Sequence, residues 1–163
     1  MVVKLGIIGY KNHAERLLNI LDKKRDCCLK FIYHPTKKIK DVRGTNKISD
    51  LLSCDGILIA SPNNTHFSYL KKLEKFNGYI FCEKPPGRNV SDITRVRIEE
   101  KKHKGVKLMY GFNHRYHSSV IMAKKILDSK KYGKVINFRC VYGKSKIVSF
   151  KKSDWISKRK YAG

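Results

Sequence analysis

Glu83-Lys84-Pro85 is the most informative triplet in this sequence. It follows an apolar run, Tyr79-Ile80-Phe81-Cys82, and leads into Pro86-Gly87. A lysine emerging from a buried strand beside an acid and a proline adds little to packing. It is well suited to hold a cationic donor at the mouth of a site. Lys84 could donate to a hydroxyl or carbonyl oxygen and lower the cost of charge building there. Glu83 could position Lys84 or take a ribose hydroxyl. The two prolines fix the backbone, and one of the two X-Pro bonds is a candidate for cis. A surface ion pair before a proline turn would be written with the same residues.

Three other segments bear on that chemistry. The first is Gly9-Tyr10-Lys11-Asn12-His13-Ala14, which follows an apolar strand. A dinucleotide fingerprint reads G-x-G-x-x-G/A at such a place. Gly9 supplies the tight turn, and Ala14 is small enough for close helix–strand packing. Lys11 stands where a second glycine would let the backbone approach a pyrophosphate. Backbone amides of Lys11, Asn12 and His13 could still meet a phosphate, and the Lys11 side chain could either reach it or block it. An ordinary strand–helix turn fits the same letters.

The second segment, Tyr33-His34-Pro35-Thr36-Lys37-Lys38, ends the second strand. That place commonly carries an acid that binds the adenosine ribose. His34, Lys37 and Lys38 are a basic cluster instead. They suit a 2′-phosphate, so NADP is favoured slightly over NAD; a plain lysine-rich loop is the other reading. The third is Ser61-Pro62-Asn63-Asn64-Thr65-His66, after the strongest strand. Ligands of open α/β sheets sit at the carboxyl ends of strands. Ser61, Pro62 and Asn63 are thus placed for a cofactor ribose or nicotinamide. Asn64 or Thr65 could simply cap a helix, and His66 could serve a ligand or lie on the surface.

The elements that must position these residues alternate. Apolar runs at 2–8, 28–33, 56–60, 79–82 and 107–110 read as strands, the near-continuous ones suiting a sheet covered on both faces. Ala14, Leu17, Leu18 and Leu21 fall on one face of a helix. Further helices are expected after Ser61, around Phe67, Leu70 and Leu73, and over 91–104, with Ser91 as N-cap. Residues 48–53 suit a short helix. Strand–helix alternation of this kind is the signature of a parallel, doubly wound α/β sheet. It accounts for residues 1–113. The pattern then changes: a helix over 119–130 leads to a longer alternating strand over 135–142, and 151–163 is polar and aperiodic.

Thirty-seven Lys and Arg against thirteen Asp and Glu give a net charge of +24. The basic residues are spread through every helix and loop, and the aromatics fall mostly within strand runs. That pattern speaks for solvated faces rather than a specific nucleic-acid surface, although the charge should draw polyanions at low salt. Five cysteines, none in a Cys-x-x-Cys pair, read as reduced thiols in a cytoplasmic protein, those of the strand runs, Cys82 and Cys140, being buried. Lys4 is followed at once by the first strand, which argues against a signal peptide. No apolar run approaches the ~20 residues of a membrane span.

Together these residues resemble the glucose–fructose oxidoreductase / inositol dehydrogenase (Gfo/Idh/MocA) family. The resemblance rests on Leu5-Gly6-Ile7-Ile8-Gly9 with His13-Ala14, Ser61-Pro62-Asn63-x-Thr65-His66, Glu83-Lys84-Pro85, and Gly111-Phe112-Asn113-His114-Arg115-Tyr116. Trp155 and Tyr161-Ala162-Gly163 look like the stretch leading into the family's next motif. The family implies a Rossmann domain that binds NAD or NADP, here residues 1–113. It also implies a C-terminal α/β domain for substrate binding and oligomerisation, of which 114–163 would be the incomplete start. Hydride would pass between the nicotinamide and a carbon of a sugar, cyclitol or nucleotide-sugar-like substrate. By resemblance, Lys84 contacts substrate and cofactor, and Glu83, His66 and Asn113 line the nicotinamide ribose side. The family's general acid/base histidine has no counterpart in these 163 residues. The sequence thus predicts a chain that binds a dinucleotide at most. It also predicts that the region beyond about residue 117 is loosely held or exposes apolar surface. A homo-oligomer, or a complementing chain that carries the other half, are the alternatives for a partner.

Overall fold

The computed structural model describes residues 1–11, 13–102, 107–141 and 143. They form two compact units, one over Met1–Gly111 and one that begins at Phe112.

The first unit is built on six strands: β1 (Val3–Ile8), β2 (Cys27–Tyr33), β3 (Gly44–Thr45), β4 (Gly56–Ile59), β5 (Tyr79–Cys82) and β6 (Lys107–Tyr110). Their order is β3-β2-β1-β4-β5-β6, and every pairing is parallel. This is the doubly wound order, in which the direction of winding reverses between β1 and β4. Three helices connect the strands: α1 (His13–Leu21), α2 (His66–Lys72) and α3 (Val90–Lys102). A 3₁₀ helix covers Ile48–Ser53.

Alternation along the strands divides the core. Ile8, Ile57, Ile59, Ile80 and Cys82 face Tyr69, Leu70, Leu73, Phe76 and Val96. Ile7, Leu29 and Ile32 face Ala14 and Leu18 of α1. Burial on both faces explains why the strands read as near-continuous apolar runs. The two-residue β3 lacks such a run and gives no periodic signal.

Two details differ from the sequence expectations, and one cannot be compared. Helix α3 is capped by Asn89, not Ser91: the Asn89 side-chain oxygen accepts from the Asp92 amide at 2.9 Å, which places Ser91 inside the first turn. The expected end of that helix at Lys104 lies outside the described residues. Cys82 is buried and its thiol is pushed up to about 12, chiefly by burial, whereas Cys140 is exposed.

The parallel register aligns the carboxyl ends of the strands. Ile8 pairs with Ile59, Ile59 with Cys82, and Cys82 with Tyr110. Each ladder continues one residue further. Gly9 donates to Tyr33 O, Ala60 to Ile8 O, Glu83 to Ile59 O and Gly111 to Cys82 O, at 2.8–3.1 Å. One row of backbone hydrogen bonds thus holds the starts of four loops side by side.

The second unit opens with a 3₁₀ turn over Asn113–Tyr116 and continues into α4 (Ser118–Asp128). Val120, Ile121, Met122, Ile126 and Leu127 of α4 are all exposed, in keeping with the apolar surface expected there. The strand expected over 135–142 is not formed. Residues 135–141 are exposed and irregular, and Tyr142 lies outside the described residues. A strand forms only where a neighbour receives its ladder bonds, and among the described residues none pairs with this segment. Trp155 and Tyr161-Ala162-Gly163 also lie outside the described residues.

Two measurements follow from the first unit. Gly9 has φ +120°, and a Cβ there would stand 2.6 Å from Ala60 O. Gly9→Ala is expected to lower stability by ~2 kcal/mol or more, combining left-handed strain with a backbone clash, as a shift of the urea midpoint. The second concerns Asp41, whose carboxyl is held at about 2 by the Arg43 guanidinium. A depressed carboxylate stabilises the fold above its unfolded value of ~4 and loses that contribution as pH falls towards the folded value. The stability gap between wild type and Asp41→Asn should therefore narrow as urea melts are taken from neutral pH down to about 2.

Candidate functional site

The site lies on the row of strand ends and is best followed from Glu83. Its backbone continues the ladder from β5, and its carboxylate does three things. Oε1 accepts from His13 Nε2 at 2.6 Å, Oε2 accepts from the Lys84 amide at 3.2 Å, and both oxygens lie about 3 Å from where a Cβ on Gly111 would be. An ionised carboxylate only accepts, so His13 carries its proton on Nε2 in this contact. The Glu83 side chain is mostly buried and that of His13 half exposed. A Cβ on Gly111 would press on the Glu83 carboxylate, so glycine gives this side chain its space.

Lys84 is exposed, and among the described residues no hydrogen bond or ion pair ties its ammonium. Its neighbours, by contrast, are fixed. Pro85, which follows a cis peptide bond, has its carbonyl 2.8 Å from His66 Nδ1. His66 is fully buried, and its Nε2 lies 2.9 Å from Ser61 O. A carbonyl only accepts, so a neutral ring donates to one of these partners and a protonated ring to both. His66 is therefore neither a surface residue nor open to a ligand at either ring nitrogen. It pins the loop after β4 to the turn after β5.

The loop after β4 is organised around short bonds of its own. The Thr65 hydroxyl lies 2.7 Å from both the Ser61 hydroxyl and Pro62 O, so it is engaged locally rather than capping α2. Asn63 begins the 3₁₀ turn Asn63–Thr65 and is half-buried. The Asn64 side-chain oxygen is buried with no partner among the described residues. A buried acceptor left unpaired is costly and calls for a donor. Sequence reading treated Asn64 only as a cap; nothing in its letters distinguishes a cap from an orphaned acceptor.

A basic group gathers beside the first turn. The His34 ring accepts at Nδ1 from the Lys37 amide at 2.9 Å and from the Thr36 amide at 3.3 Å, which curls the loop after β2. Lys37 is thereby brought against Lys11. The side-chain contact with Lys11, then desolvation, then the Lys11 charge lower Lys37 below the ordinary lysine value. His34 is also lowered, by burial first and then by the charges of Lys37 and Lys11. Lys38 is exposed nearby in sequence. Arg43 stiffens this corner. It binds Asp22 at 2.6 Å and holds Asp41 through Nη2 and Nε at 2.7 and 2.9 Å.

Gly9, Lys11, His13, His34 and Lys37 therefore gather at the β1 and β2 ends, and Ser61, Pro62, Asn63, His66, Glu83 and Lys84 at the β4 and β5 ends. Asn12 lies outside the described residues. Asn113 belongs to the second unit, at the start of its 3₁₀ turn. Among the described residues no helix is long and apolar enough to cross a membrane.

A doubly wound parallel sheet with a glycine turn and a lysine at its carboxyl edge is a Rossmann-type α/β arrangement. The family model described as "Oxidoreductase family, NAD-binding Rossmann fold" matches residues 3–112, and the chain belongs to this Gfo/Idh/MocA family. It is 27% identical over 143 residues to a myo-inositol 2-dehydrogenase of Thermotoga maritima, covering 81% of this chain and 42% of that protein. It is 22% identical over 160 residues to a glucose-6-phosphate 3-dehydrogenase of Bacillus subtilis, covering 93% and 45%. A solved scyllo-inositol dehydrogenase of Lactobacillus casei, with bound NAD(H) and scyllo-inositol, shares the fold. Its TM-score is 0.68 at 22% identity, over 82% of this chain and 43% of that one. The chain thus spans less than half the length of these relatives.

The His66 pin has a measurable weight. His66→Ala removes the ring's link between the Ser61 and Pro85 carbonyls and opens a cavity, for an expected loss of about 3 kcal/mol or more in urea unfolding. A loss below ~1 kcal/mol would mean that water takes over both carbonyls and that the ring pins nothing.

Proposed function

We propose that this chain supplies the cofactor-holding part of an NAD(P)-linked oxidoreductase whose substrate is a polyol or sugar. The observation that carries this reading is Lys84, an untied ammonium between two anchored neighbours, on the same sheet edge as Gly9. The residues fit a dinucleotide in three respects. Gly9, at φ +120°, makes a turn that a side chain would strain and leaves the backbone after β1 bare. Lys11 and Lys37 set two like charges in contact, an arrangement that an anion relieves. Asn64 offers a buried acceptor to a hydroxyl.

The bound nicotinamide would supply the hydride acceptor or donor. The chain's own residues bind and orient. Lys84 donates a hydrogen bond to the substrate oxygen whose carbon is oxidised or reduced, which stabilises charge there. Glu83 fixes the backbone from which Lys84 projects. Lys11, Lys37, Lys38 and His34 favour the extra phosphate of NADP over the bare ribose of NAD. The polyol or sugar class is supported by the inositol and glucose-6-phosphate relatives.

A second reading, a binding subunit that meets another chain, is favoured by the exposed apolar side chains of α4. Co-purification of a second polypeptide would support it.

The deciding experiment is a titration with NADPH and NADH, read by cofactor fluorescence at moderate salt, with polyphosphate as the control for bulk charge. NADPH is expected to bind about tenfold more tightly than NADH, the worth of one charge-assisted contact. Lys37→Glu/Lys38→Glu should abolish the difference. Dinucleotide binding no better than polyphosphate would sink the reading.

A further inference from the structure

Within the first unit, one contact joins two parts of the site that lie far apart in sequence. His13 opens α1, directly after the turn where a dinucleotide phosphate would meet the backbone. Its Nε2 donates to Glu83 Oε1 at 2.6 Å, across 70 positions of sequence. The other carboxylate oxygen of Glu83 accepts from the amide of Lys84. Gly111 lies against the third side of the carboxylate, where a Cβ would stand 3.0–3.1 Å from its atoms. The carboxylate therefore has few ways to reorient without breaking one of its two bonds.

We propose that His13 is a positioning residue that links the dinucleotide turn to Lys84 through the Glu83 carboxylate. This rests on the reading of Lys84 given above. A shift of the first turn of α1 on ligand binding moves His13 Nε2. Glu83 must follow or lose a short, charge-assisted bond. If it follows, the backbone that carries Lys84 turns with it. The bridge thus makes occupation of the cofactor turn and the aim of Lys84 interdependent, as required for energetic coupling between two sites. His13 is half exposed, whereas the mostly buried Glu83 is the fixed partner.

The rest of the first unit offers weaker candidates. The apolar groove over Leu58, Phe81 and Met109 has nothing to identify what covers it. The basic groove beside Arg97 has one of its arginines, Arg88, already paired with Asp92 at 2.9 Å.

The test reads the backbone amide of Lys84 by nuclear magnetic resonance in the full chain labelled with [15N]lysine, free and titrated with NADPH. In the free chain, His13→Ala should move the Lys84 amide, because Glu83 loses its anchor. His13→Gln, whose side-chain amide places a donor near Nε2, should largely restore it. On titration, wild type and His13→Gln should show a Lys84 shift that saturates with binding. In His13→Ala that shift should be lost and affinity should fall about tenfold, a coupling of ordinary size. A Lys84 resonance that is the same in wild type and His13→Ala, free and bound, overturns the proposal. The free-chain spectra judge the bridge alone, and the wild-type titration judges dinucleotide binding, so the two failures are distinct. If a His13 variant loses its dispersed spectrum, Glu83→Gln carries the test at the His13 ring nitrogens. These should shift if the bridge exists in solution, and their constancy would equally overturn it.

Discussion

The site depends on the register of a parallel sheet. Parallel strands whose ends coincide present their following residues in a row, and here the row is held by backbone hydrogen bonds that run one residue beyond β1, β4, β5 and β6. Such bonds carry no side-chain identity, so the row is indifferent to most substitutions in the strands. A slip of one residue would send every apolar side chain to the wrong face. The buried faces of Ile7 and Ile8, packed on opposite sides, therefore fix the position of Gly9. Core packing on two faces is in this sense what places the chemistry.

Onto that row the sequence sets two kinds of group. Around Glu83 and His66, polar atoms are paired among themselves and hold the turn on either side of Lys84. Around Lys11 and Lys37, like charges are brought together by a local loop hydrogen-bonded through His34. The first arrangement is content without a ligand. The second leaves like charges near one another at an exposed corner, where solvent and salt screen them.

Much of the fold was legible in the sequence because long apolar runs and a 3.6-residue stripe are strong signals. The strand after Gly78, Tyr79–Cys82, agrees with its expected limits, and α1 carries the expected stripe. What escaped lacked periodicity or needed a partner. Strand β3 has two residues. The α3 cap turns on whether Asn89 or Ser91 reaches the amide of Asp92, which spacing cannot separate. The alternation over 135–142 promised a strand, but alternation states only that two faces differ and says nothing of a neighbouring edge. Within the site, the motif residues were named from their types, whereas the His13–Glu83 contact and the burial of His66 are tertiary facts with no local signature.

Cys82 sits one residue before Glu83, sealed in the core with its thiol at about 12. Thiolates, not thiols, react with alkylating agents and peroxides. This cysteine is thus chemically silent while the sheet is closed, whereas Cys28 and Cys140 are exposed. The molecule carries its own clock for the opening of β5: modification of Cys82 marks the moment at which the strand beneath Lys84 comes apart.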